Sequence, residues 1–153
     1  MGFLGIGQIV GGILMGFSRD ACGNKCAAIF QMLFFLSGII WTFIFHMNNK
    51  FTYRAYILCF LWGLQDAGIN TLIRTHLGFE FDSKIIPFCV FGFVQGIWVF
   101  IFSLIQIHVM DDDPLGDLTL AEKVDAYIIT LAVFGLIGHI MMIRFEHRVK
   151  NFL

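Results

Sequence analysis

Charge is scarce in this chain. Only 14% of its 153 residues are Asp, Glu, Lys or Arg, and the formal net charge is -1. A soluble domain carries about 25% charged residues, so an ordinary water-facing surface is excluded. No basic stripe runs along the sequence, which argues against nucleic acid as a partner. Proline occurs twice, as Pro87 and Pro114, so there is no proline-rich linker or tail. The four cysteines, Cys22, Cys26, Cys59 and Cys89, form no CxxC pair. Cys22 and Cys26 are four apart, but a metal site would need further ligands that the sequence does not supply. Cys59 and Cys89 lie in apolar runs and read as small core residues. The sequence also lacks G-x-S-x-G, H-E-x-x-H and Walker loops, so nothing points to an enzyme, and no cofactor is expected.

Apolar residues are abundant. They make up 58% of the chain, with 19 phenylalanines and a mean hydropathy of +0.82. A bilayer-spanning helix needs about 20 mostly apolar residues. Five segments meet or approach that length: 2–17, 27–45, 53–73, 85–107 and 126–143. The expected fold is therefore all-α, a single transmembrane domain over 1–153 built as a bundle of about five helices in the lipid bilayer. The start is apolar and glycine-rich, without the basic region of a cleavable presequence. Ile6 occupies the position where myristoylation requires Ser or Thr.

Basic residues orient the bundle. An odd span count puts Arg19, Lys25, Lys84, Arg144, Arg148 and Lys150 on one side, and Lys50, Arg54 and Lys123 on the other. By the positive-inside rule the first side, with the C-terminus, faces cytoplasm or matrix. The sequence carries no address, and the mitochondrial inner membrane is one setting compatible with it.

Polar residues inside the spans are the candidate sites. Gln65, Asp66, Asn70 and Arg74 interrupt the third span, and Gln95 the fourth. Asp66, Asn70 and Arg74 are four apart and share a helix face. Asp66 and Arg74 lie about 12 Å apart along the axis, too far for direct contact, with Asn70 between them. A carboxylate at mid-membrane is costly and faces protein or water. Asp66 reads either as a coupling acid for transport or as a buried anchor for helix packing, and the second is expected. Glycines at small-xxx-small spacing mark close helix contacts: Gly7 with Gly11, Gly12 with Gly16, and Gly92 with Gly96. Packing within the bundle is the expected use, with a homodimer as the competing one.

Histidines and the acidic loop receive blander readings. His46 and His108 lie near span ends on one side, and His139 inside the last span. A haem ligand pair is conceivable on that geometry, but polar anchoring at the membrane interface is expected. Asp111, Asp113, Gly116, Asp117, Thr119 and Glu122 fall on EF-hand positions, but Leu115 occupies a ligand position. A capping box, with Thr119 as N-cap and Glu122 three residues on, explains the spacing more simply.

The stretch from Gly16 to Lys25 is similar to the G-x-x-x-D-R/K-x-G-R/K-R/K signature loop of the major facilitator superfamily. Gly16, Asp20, Gly23 and Lys25 match it, while Ala21 and Asn24 depart from it. Leu61-Trp62-Gly63-Leu64-Gln65-Asp66-Ala67 resembles the Trp-Gly-x-x-Asp-Ala element of the UNC-93-like branch. It is followed, in the family's order, by Gly78-Phe79-Glu80-Phe81 and a further span carrying Gln95. The resemblance implies a partial major-facilitator half, the last five of twelve helices. It also implies a regulatory or chaperoning partner of other membrane proteins. The expected function is a non-catalytic, transporter-derived accessory subunit of a larger membrane complex. The alternative is a half-transporter for a small solute or ion, working as a dimer or with a separate N-terminal half.

Overall fold

A computed structural model describes residues 2–48, 53–81, 85–110 and 120–152. The described residues form five helices: α1 (Gly2–Cys22), α2 (Asn24–Asn48), α3 (Tyr53–Glu80), α4 (Ile85–Met110) and α5 (Leu120–Phe152). All five are long and apolar enough to cross a membrane. With no water to satisfy backbone polar groups in hydrocarbon, a helix that bonds to itself is the stable form of such segments.

The helices outrun the apolar stretches that define them. α1 continues from the expected Phe17 to Cys22, α3 from Ile73 to Glu80, and α5 from Ile143 to Phe152. The extensions carry Arg19, Asp20, Arg74, His76, Arg144 and Arg148, residues that suit the polar interface and do not break a helix. α5 begins at Leu120 with Glu122 in its first turn, where the capping reading put its start. Thr119 and the EF-hand positions from Asp111 to Asp117 lie outside the described residues.

Between α1 and α2 the loop has shrunk to Gly23. Its φ of +81° is left-handed, a conformation only glycine adopts cheaply. Gly23 N–H donates to Arg19 C=O at 2.8 Å, closing α1, and Gly23 C=O accepts from Ala27 N–H at 3.2 Å, opening α2. One residue thus serves as terminator and as cap. Arg19 Nε adds a hydrogen bond to Asn24 Oδ1 across the corner.

The chain divides into two compact units, Met1–Thr75 with Phe134–Leu153, and His76–Val133. In the first unit, Met15, Ala27 and Leu72 form the core, with Phe34 and Met142 packed against them. On α1 the buried residues are Gly7, Gly11 and Met15, one per helical turn. A Cβ on Gly7 would strike the Phe60 carbonyl of α3, and one on Gly11 the Leu64 carbonyl. In return, a Cβ on Gly63 would strike the Leu4 carbonyl of α1. Backbone therefore meets backbone along this crossing, as small-residue interfaces in membranes allow.

The other glycine ridges do not behave this way. Gly12 would meet only Thr71 Oγ1, at 3.7 Å, and Gly16, Gly92 and Gly96 face open space. The packing expected of Gly92 with Gly96, and of Gly16, is not formed. Small spacing permits close approach, but a partner backbone is required to use it. Cys89 is also exposed and Cys59 half-buried, so neither is the core residue its apolar neighbours suggest.

In the second unit, Ile128 and Lys123 are buried. An open apolar groove of about 520 Å³ is lined by Leu77, Phe81, Ile86, Pro87, Val90 and neighbouring residues, none of them polar. No described side chain of α4 is buried.

Candidate functional site

The polar residues of α3 sort into two sites, because consecutive helical residues point about 100° apart. Gln65 turns inward and is 7% exposed. Gln31 of α2, fully buried, donates from Nε2 to Gln65 Oε1 at 2.7 Å and to Gln65 C=O at 2.8 Å. Gln65 Nε2 lies 3.4 Å from His139 Nε2 on α5. His139, 6% exposed, has Nδ1 2.7 Å from its own helix's Gly135 C=O. A carbonyl only accepts, so Nδ1 carries the proton and Nε2 accepts from Gln65. The three side chains form one chain of hydrogen bonds tying α2, α3 and α5 together.

Aromatic rings enclose that network. Phe35 stacks on His139 with centroids 4.8 Å apart and meets Trp62 edge-on at 6.5 Å. Trp62 Nε1 donates to Thr42 Oγ1 at 3.1 Å, and Thr42 in turn donates to Gly38 C=O at 2.8 Å. Gly135 leaves room for the Phe35 ring and Gly68 for the Gln31 amide, since a Cβ at either position would clash. Gln31 Oε1 has no hydrogen-bond partner among the described residues and rests against Gly68. An unpaired amide oxygen at full burial is costly, and packing on a glycine Cα leaves it only a weak C–H contact.

His139 is therefore no interfacial anchor, and Gln31 was not signalled by any motif. The available signal was positional: Gln31 and His139 are lone polar residues well inside α2 and α5, as Gln65 beside Asp66 is inside α3.

Asp66 belongs to the second site. Its carboxylate is exposed, not buried as an anchor would be. Gln8 of α1 donates from Nε2 to Asp66 Oδ2 at 2.9 Å. Asn70 donates from Nδ2 to Asp66 Oδ1 at 3.2 Å and to the Asp66 carbonyl at 2.9 Å. Asn70 thus bonds to Asp66, one turn back on the same helix, and Arg74 stands exposed further along α3. Gln8 is the unanticipated member. Asp66 lies 13 residues from Tyr53 and 14 from Glu80, at the middle of α3. A charged side chain at that depth costs roughly 2.5–3.5 kcal/mol even by insertion scales.

The remaining sequence candidates stand apart from both sites. Gly16 is inside α1, and Asp20 and Lys25 are exposed on either side of the Gly23 corner. Gln95 is exposed on α4. Among the described residues no group of three or more His, Cys, Asp or Glu could hold a metal ion.

Fold and site together define an all-α protein with five helices fit to span a membrane and two mid-span polar sites. No protein-family model, curated protein or solved structure matches the chain.

Proposed function

We propose that this protein is a non-catalytic accessory subunit of a larger integral membrane complex. The observation that carries the reading is the bare face of α4. At 100° per residue, Gly92, Gln95, Gly96, Ser103 and Gln106 fall within one arc of about 100°, and all are exposed. The amides of Gln95 and Gln106 make no hydrogen bond among the described residues. Facing hydrocarbon, an amide without a partner costs several kcal/mol. Facing another transmembrane helix, glycines permit approach and amides gain partners. The resemblance to UNC-93-like proteins, which act on other membrane proteins, supports the same reading.

One observation favours a second reading. Asp66 with Gln8 and Asn70 is a polar site at mid-membrane of the kind solute or ion carriers use, so the chain would be half of a transporter.

Gentle extraction from the native membrane followed by sizing separates the two. The accessory reading expects comigration with a much larger complex, and loss of that complex when this chain is removed. A stable homodimer whose solute uptake is abolished by Asp66→Asn overturns it.

A further inference from the structure

Asp66 presents a carboxylate that no cation meets among the described residues. Gln8 and Asn70 each donate one N–H, one to each carboxylate oxygen. Each oxygen retains further lone-pair capacity, and the residue remains exposed. No lysine or arginine meets it among the described residues. Along α3 the nearest cation is Arg74, two turns away, and along α1 it is Arg19, three turns beyond Gln8. α5 meets α3 at Gln65 through His139, which is committed to Gln65 and Gly135. A mid-span, exposed carboxylate with spare lone pairs is suited to a basic partner.

The converging groups also discriminate between occupants. A bare metal cation is held by several oxygens. Here the amides of Gln8 and Asn70 turn nitrogens toward the carboxylate, and among the described residues no cluster of His, Cys, Asp or Glu joins it. An Arg fork or a Lys ammonium needs no more than the one carboxylate. The neighbours along the same face of α3 are apolar, with Cys59 and Ile73 two turns to either side and both half-buried. A free hydrated solute gains nothing from such a rim, whereas a transmembrane helix packs on it.

We infer that Gln8, Asp66 and Asn70 form a mid-membrane docking site for a partner subunit's transmembrane helix that carries a basic side chain at the same depth. The inference rests on the accessory-subunit reading and names the chemistry of the partner.

The test uses the full chain in its native membrane, with a photo-crosslinking residue in place of Ile73, two turns along the Asp66 face of α3, and the variants Asp66→Asn and Asp66→Glu. Asn keeps the shape and the acceptor for Gln8, so the fold survives while the charge goes. The expected result is comigration with the large complex reduced at least about tenfold by Asp66→Asn and kept within about twofold by Asp66→Glu. The Ile73 adduct should be a different protein, attached within a span holding Lys or Arg. Unchanged comigration of Asp66→Asn, an adduct with a second copy of this chain, or an adducted span without a basic residue each overturns the docking site. In the first and third cases the accessory reading stands. Wild-type protein that migrates alone overturns both.

Discussion

A helix advances about 100° per residue, so Gln65 and Asp66 address different neighbours although they are adjacent in the chain. Their fates explain what was legible at this scale. The polar interruption of an apolar span is plain in the sequence, and so is the i, i+4 link from Asp66 to Asn70. Gln8 and Gln31 are single polar residues in apolar company, and only packing reveals that they meet Asp66 and Gln65. Burial was equally illegible, because the side of α3 that α1 leaves open is set by tertiary contacts. The network yields a first prediction. Gln65→Leu removes the acceptor of one Gln31 bond and the donor to His139 Nε2, and should cost about 1–2 kcal/mol. Gln31→Leu should cost a similar amount, and the double variant less than the sum, because both remove the same bond. Thermal unfolding in detergent checks this, and strictly additive losses would refute the shared network.

Between elements, the α1–α3 crossing and the Gly23 corner carry the argument. Glycine spacing announced that α1 would pack closely, and it does at Gly7 and Gly11. The same spacing on α4 led to open space, since a motif on one helix does not specify that another backbone will arrive. Gly63, read only as part of a family-like stretch, proves to be the reciprocal contact on α3. Gly63→Val should therefore destabilise by about 1–3 kcal/mol through overpacking, while Gly16→Val leaves the apparent melting temperature unchanged. Equal effects of the two substitutions would contradict the crossing as described. At the corner, Gly23→Ala places a Cβ in a left-handed conformation and should cost about 1–2 kcal/mol. The open surroundings of Gly23 mean that this loss reflects backbone strain and not a clash. It should be measured as a drop in melting temperature in micelles, against Gly2→Ala as the tolerated control.

At the level of the whole molecule, the five spans were readable because bilayer thickness sets a length that hydropathy alone reports. Their ends were not, since helices continue into the interface after the apolar signal stops. What the molecule leaves exposed bears most on function. The α4 stripe and the Asp66 site are polar surfaces on helices fit for a membrane, and the accessory-subunit proposal gives both to protein partners. If α4 docks against another subunit, Gln95→Leu together with Gln106→Leu should weaken retention in the complex without lowering the melting temperature of the isolated chain. A matching loss of stability would instead assign those amides to this chain's own fold. The most direct measurement is the size of the native particle extracted gently from its membrane. The account predicts that this chain migrates within an assembly many times its own 17.4 kDa, and that the assembly is lost when the chain is removed. A lone monomer, or a homodimer with no other protein, would contradict it.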